Sequence, residues 1–125
     1  MKNQFVPYEL SLRLKTFGFN EPCLATYHLK TKEIIEIYGA YQSQPEGDFK
    51  NHWILAPLWQ QAFDWFTSKG YHSYIEGAHP WFRHYINTPD GRHEGHKKFT
   101  LDEAKLSCLE NLIYAYENDK SNTLV

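Results

Sequence analysis

Residues 57–87, PLWQQAFDWFTSKGYHSYIEGAHPWFRHYIN, decide the fold class because a helical pattern gives way to two extended ones across a single glycine. Over Pro57–Lys69 the apolar side chains recur on one side of a helical wheel, and Gly70 supplies a stop signal. Tyr71–Glu76 and Trp81–Asn87 are rich in aromatic and β-branched residues, which favour strands. The stretch predicts a helix followed by a hairpin.

The preceding half of the chain repeats this order. Pro7–Phe17 is predicted as a helix, and Leu24–Lys30 and Glu33–Tyr38 as two strands, because apolar spacing changes from a helical period to extended runs. Ala40–Asn51 is polar and contains glycine and proline, so it is predicted as a loop.

The last third predicts a turn, a polar segment and a helix. Pro89-Asp90-Gly91 is a turn triplet, and Arg92–Lys98 is predicted to be exposed. Thr100 and Glu103 form a capping box at the start of the third helix. We predict a flexible tail over residues 119–125.

The predicted order is αββαββα. Each helix has one apolar face to bury and the sheet has another, which favours a two-layer α+β sandwich of three helices on a four-stranded antiparallel sheet. A chain of 125 residues fits a single domain, residues 1–125.

Composition narrows the function classes. The formal net charge of −2 argues against a general nucleic-acid binder, and no run of apolar residues is long enough to span a membrane. The first residues lack a signal-peptide pattern, and two cysteines in apolar surroundings favour a reduced, cytoplasmic protein.

Residues 81–85, WFRHY, contain the main candidate binding site. Strand alternation places Trp81, Arg83 and Tyr85 on one face, where rings could stack on a base while the arginine meets a phosphate. The alternative is that the rings pack under helices and Arg83 is solvated. The predicted ligand-binding residues are Trp81, Arg83, Tyr85, His84, His79 and Tyr74.

The sequence carries only weak signals for a metal site or a catalytic residue. His93 and His96 share a polar segment but have no third ligand in sequence, so neither a metal nor another cofactor is expected. Cys108 lies in an apolar helix stripe, where a buried thiol is inert, and no catalytic residue is assigned. We therefore expect a binding protein rather than an enzyme.

Helix Pro57–Lys69 offers a second surface. Trp59 and Trp65 lie at the edges of its apolar arc, where tryptophan often marks an interface. They are the predicted interface residues of a homo-oligomer or protein-binding module. The alternative is that this is a core helix whose apolar arc is simply bordered by tryptophan.

Three stretches, PYELSLRLKTFGFNEPCLA (residues 7–25), APLWQQAFDWF (56–66) and EAKLSCLENLI (103–113), carry a resemblance. Together they resemble small uncharacterised proteins encoded by bacteriophages and mobile elements of Bacteroidetes. The resemblance implies an accessory protein in the host cytoplasm, and small phage proteins of this kind often counter host defence. No catalytic motif comes with it.

The leading hypothesis is therefore a phage-type accessory protein, an inhibitor of host defence that sequesters a nucleotide-like signal or binds a host defence protein. The first alternative is a homo-oligomeric interaction module. The second is a phosphoesterase that depends on His72, His79 or His84.

Overall fold

The computed structural model describes residues 4–36 and 52–123, which contain three helices and two three-stranded antiparallel sheets. The chain divides into two compact units, Met1–Ala62 and Phe63–Val125. None of the helices in the described ranges combines the length and the apolar character needed to cross a membrane.

The first unit holds helix α1 (Tyr8–Thr16) and a sheet of strands β1 (Ala25–His28), β2 (Ile34–Glu36) and β3 (Trp53–Leu55). Strand β1 lies in the middle, between β2 and β3. Apolar residues from the strands and the preceding chain form its core, which comprises Phe5, Ala25, Tyr27, Ile54 and Ala56. The Tyr27 hydroxyl donates to the backbone oxygen of Val6 over 2.6 Å, which satisfies the polar end of a buried ring.

Helix α2 (Trp59–Ser68) contains the boundary between the units. The Gln61 side chain accepts a hydrogen bond from the Leu58 backbone N–H and so caps the start of the helix. Gly70 follows its end with φ of +92°, a conformation that glycine adopts without a steric penalty.

The second unit holds the candidate site. Strands β4 (His72–Ala78), β5 (Trp81–Thr88) and β6 (Gly91–Glu94) form a sheet with β5 in the middle, and helix α3 (Leu101–Thr123) follows. In this sheet Tyr74 pairs with Tyr85, and Tyr85 pairs with Glu94.

Helix α3 begins as the capping box predicts. The Glu103 amide donates to the Thr100 hydroxyl over 3.1 Å, and that hydroxyl donates to the Glu103 carboxylate over 3.0 Å. The predicted apolar stripe is largely buried, and it packs on one face of strands β4 and β5. Its buried members are Ala104, Cys108, Leu109, Leu112, Ile113 and Tyr116.

The α+β class is confirmed, but the prediction of one four-stranded sheet is wrong. Two strands were not predicted. Strand Trp53–Leu55 is very short, and strand Gly91–Glu94 is polar and lies in a region that was predicted only as a turn and an exposed segment. Each joins a hairpin and makes it a three-stranded sheet. Helix α3 continues to Thr123, and the predicted loop at residues 40–51 lies outside the described residues.

Candidate functional site

The outer face of the second sheet, defined as the side opposite helix α3, carries most of the predicted binding residues. Alternation along three paired strands brings together rings and charges that are distant in sequence. This face includes Tyr74, Glu76, Trp81, Arg83, Tyr85, Arg92 and Glu94, together with Lys97, whose ammonium lies over the Trp81 ring.

A pair of stacked tyrosines occupies the centre of the outer face. The rings of Tyr74 and Tyr85 have centroids 4.9 Å apart and planes 19° from parallel. The Arg92 guanidinium lies 4.7 Å from the Tyr85 centroid and donates to the Tyr74 hydroxyl over 2.8 Å. The Tyr85 hydroxyl donates to Glu76 over 2.9 Å, and this bond raises the pKa of Tyr85. Tyr74 nevertheless remains 48% exposed.

Trp81 lies beside two cations. The Arg83 guanidinium carbon is 5.5 Å from the indole centroid and the Lys97 ammonium is 4.8 Å from it, both within cation–π range. Arg83 also approaches Glu94 at 4.0 Å, yet its buried Nε has no hydrogen-bond partner among the described residues.

The inner face of the same sheet carries His84, which is 1% exposed. Asn111 of helix α3 donates to Nε2 of this ring over 2.9 Å, which leaves the ring proton on Nδ1. Burial, followed by the charges of Lys98 and His96, lowers the pKa of His84 and favours the neutral ring. Within the described chain, Nδ1 has no hydrogen-bond partner.

A cavity of about 450 Å³ lies between strands β5 and β6 and the second half of helix α3. We call it the helix-side cavity. His84, His93 and His96 line it together with Asn111 and Tyr114 of the helix. Its size is within the range of small-molecule sites.

Three acidic residues, Asp90, Glu94 and Asp119, also line the helix-side cavity. Asp90, in the turn before β6, forms a hydrogen bond with Asp119 of helix α3, and this bond and the Asp119 charge raise the pKa of Asp90. The buried Tyr71 hydroxyl donates a hydrogen bond to the Asp119 carboxylate. Burial and this bond raise the pKa of Tyr71.

The structure brings four of the six predicted ligand-binding residues, Tyr74, Trp81, Arg83 and Tyr85, onto the outer face. The other two lie elsewhere. His84 is on the inner face, and His79 is exposed in the turn between β4 and β5.

The predicted interface tryptophans differ in burial. Trp65 is 7% exposed, and its ring contacts Phe66 and Tyr116 edge to face, so it contributes to the core of the second unit. Trp59 is half-buried. The interface remains a prediction.

The histidines proposed for a phosphoesterase do not share one face. His72 is exposed at the start of β4, His79 lies in the turn and His84 is buried against helix α3. His93 and His96 line the helix-side cavity, but no group of three metal-ligating side chains occurs in residues 4–36 and 52–123.

Sequence reasoning missed Arg92 on the outer face and the carboxyl pair of the cavity. Arg92 and Glu94 are two residues apart after a turn triplet, a spacing that could have indicated a third strand. The meeting of Asp90 with Asp119 depends on the packing of helix α3, and no local pattern signals it.

No family model matches the chain, and the searches of curated proteins and of solved structures find no match.

Proposed function

We propose that this is a ligand-binding protein that holds a flat, anionic, nucleotide-like molecule on the outer face of its second sheet. The observation that carries the proposal is the stacked pair Tyr74–Tyr85, of which Tyr74 is 48% exposed, beside three cationic side chains. The proposed role is sequestration without chemical change.

The tyrosine pair suits the flat part of such a ligand. Tyr85 supports one side of the Tyr74 ring, and Arg92 fixes its hydroxyl, so the exposed ring is held in place before any ligand arrives. Preorganised rings lose little conformational entropy on binding. Stacking of a base on an aromatic side chain contributes about 1–3 kcal/mol.

The cations suit the anionic part. Arg83, Arg92 and Lys97 outnumber the two acids, Glu76 and Glu94, on this face. An arginine fork pairs with phosphate through charge-assisted hydrogen bonds, and the Arg83 side chain is 27% exposed on this face.

The biological role we propose follows the sequence resemblance rather than the geometry. A phage-type accessory protein that binds a nucleotide signal would lower the free concentration of that signal in the host cell. Binding of a host defence protein by the same face would serve the same purpose.

A thermal-shift screen with linear and cyclic nucleotides tests the proposal. A nucleotide at one hundred times its Kd should stabilise the fold by about 2.7 kcal/mol. Arg83→Ala should abolish most of that shift, whereas Lys30→Ala, which removes an exposed cation of the first unit, should leave it unchanged. Recovery of the intact nucleotide after incubation separates sequestration from hydrolysis.

A further inference from the structure

The outer face carries two separate aromatic platforms. The tyrosine platform is Tyr85 with Tyr74 stacked on it, and the tryptophan platform is Trp81, four residues from Tyr85 on the same face of β5. At roughly 3.3 Å per residue, the two platforms are about 13 Å apart along the strand. Neighbouring bases of a stacked strand are only about 3.4 Å apart, so a ligand that reaches both platforms must hold two bases well apart.

The tryptophan platform has room for a base. Directly opposite Trp81 on β4 is Ala78, whose side chain is a single methyl group, and the indole itself is partly exposed. The tyrosine platform differs, because the partner of Tyr85 is the ring of Tyr74. A base can therefore stack on the exposed side of Tyr74 at one end, and beside Trp81 above Ala78 at the other.

A β-bulge places a cation at the tryptophan platform. Tyr85 pairs with Glu94, and Phe82 exchanges backbone hydrogen bonds of 2.7 and 2.8 Å with Lys98. Between these pairs β5 has two residues and the opposing segment has three, so one extra residue shifts the alternation of side chains. Without that residue Lys97 would face helix α3. With it, the Lys97 ammonium lies 4.8 Å from the indole centroid on the outer face.

The charges of the outer face suit a short phosphate bridge between two bases. Arg83 lies midway between the platforms on β5, and its side chain is 27% exposed. Arg92 lies at the tyrosine platform and Lys97 at the tryptophan platform. Because Glu76 and Glu94 share this face, the excess of positive charge is small. A few phosphates match it better than a long polyanion does.

We propose that the outer face takes a dinucleoside polyphosphate, in which two nucleosides are joined by a short phosphate bridge. One base would stack on Tyr74 and the other on Trp81, with the bridge at Arg83. The exposed Lys97 would move from the indole to the bridge. This inference rests on the nucleotide binding proposed above and names the class of ligand.

Pairs of probes with equal numbers of phosphates test the second base. The first pair is ADP and diadenosine diphosphate, and the second is adenosine tetraphosphate and diadenosine tetraphosphate. Each two-base member carries less negative charge, so tighter binding cannot come from charge. Aromatic stacking accepts any base, which makes adenine a fair probe. By isothermal titration we expect the two-base member of at least one pair to bind about tenfold more tightly or better.

Variants at the tryptophan platform locate the second base. Trp81→Ala should reduce the advantage of the two-base probe to about twofold or less, because only one base is then held. Phe99→Ala removes a ring that is 73% exposed outside this face and should keep the full advantage. Lys97→Ala changes an exposed residue without risk to the core and should weaken diadenosine tetraphosphate about fivefold. Its matched control, Lys30→Ala, should have no effect.

The outcomes separate this inference from the proposed function. Equal affinities within both pairs, or an advantage that survives Trp81→Ala and Lys97→Ala, would overturn the two-base ligand. ADP binding that depends on Tyr74 would then still support a site for one nucleotide. A single-stranded oligoadenylate that binds more tightly than every two-base probe would also overturn the inference, since the face would then be a single-strand surface. Failure of every nucleotide to bind would reject both proposals.

Discussion

Tyr74 and Tyr85, directly opposite each other on neighbouring strands, stack nearly parallel with ring centroids 4.9 Å apart. Cross-strand aromatic pairs stabilise a sheet, and here Arg92 also donates a hydrogen bond to the Tyr74 hydroxyl. The Tyr74–Tyr85 pair therefore contributes both to the stability of the sheet and to the ring that the sheet exposes.

Tyr74→Ala should lower the free energy of unfolding by about 1 kcal/mol, because it removes a cross-strand ring contact. Tyr74→Phe should cost less, since it keeps the stack and loses only the hydroxyl that Arg92 contacts. Urea denaturation of the two variants measures the difference. Equal losses would show that the stack contributes nothing.

Gly95→Ala should destabilise the second unit. A Cβ at this position would clash with Cε1 and Nδ1 of the buried His84 ring. Overpacking of this kind costs about 1–3 kcal/mol. Gly77→Ala is the matched control in the same sheet, because its Cβ would meet only the edge of the Phe82 ring at 3.1 Å.

Calorimetry that measures the destabilisation by Gly95→Ala in the parent protein and in a His84→Ala background tests whether the alanine clashes with His84. The cost of the alanine should fall sharply when the imidazole is absent. The same cost in both backgrounds would mean that His84 is not the obstacle.

Asp90→Asn should stabilise the protein at neutral pH. The hydrogen bond with Asp119 and the Asp119 charge raise the pKa of Asp90 above the ordinary value of 3.8. A raised carboxyl pKa contributes stability that is fully present below the ordinary value and is lost as the pH rises through the raised one. The variant should therefore gain in Tm at pH 7 and lose this advantage in acid.

Asp102→Asn provides the control of opposite sign. Asp102 lies in the first turn of helix α3, where a negative charge stabilises the helix dipole. Its removal should lower Tm at pH 7. A Tm for Asp90→Asn at or below that of the parent protein at pH 7 would contradict the destabilising effect expected from the raised pKa of Asp90.

Both cysteines should be unreactive in the folded protein. Burial and the charge of Glu21 raise the pKa of Cys23 to about 12, and burial raises the pKa of Cys108 to about 11. At pH 8 roughly one Cys108 thiol in a thousand would be ionised. A thiol-specific chromogenic reagent should find neither residue until guanidinium unfolds the chain, and rapid labelling of the native protein would contradict this burial.

Local patterns predicted much of the second unit. The apolar arc of helix α2, the stop at Gly70 and the capping box of Thr100 each depend on neighbouring residues, and alternation along WFRHY gave the correct separation of Arg83 from His84. These features depend on contacts between residues a few positions apart.

The number of strands in each sheet could not be predicted from local patterns. Strand β6 is polar because one of its faces is exposed and the other lines a cavity, so it lacks the apolar alternation of a strand packed on a core. Similarly, the interaction of Asp90 with Asp119 joins a turn to a helical residue 29 positions later and depends on tertiary packing.

Isothermal titration of a nucleotide, identified by the thermal-shift screen, into the parent protein and Tyr74→Ala tests the central claim most directly. Adenosine and inorganic phosphate separate the contribution of the ring from that of the charge, and Phe99→Ala controls for loss of an exposed ring. We predict saturable binding that Tyr74→Ala weakens roughly tenfold or more. No binding of any nucleotide, or equal affinity in Tyr74→Ala, would contradict the account.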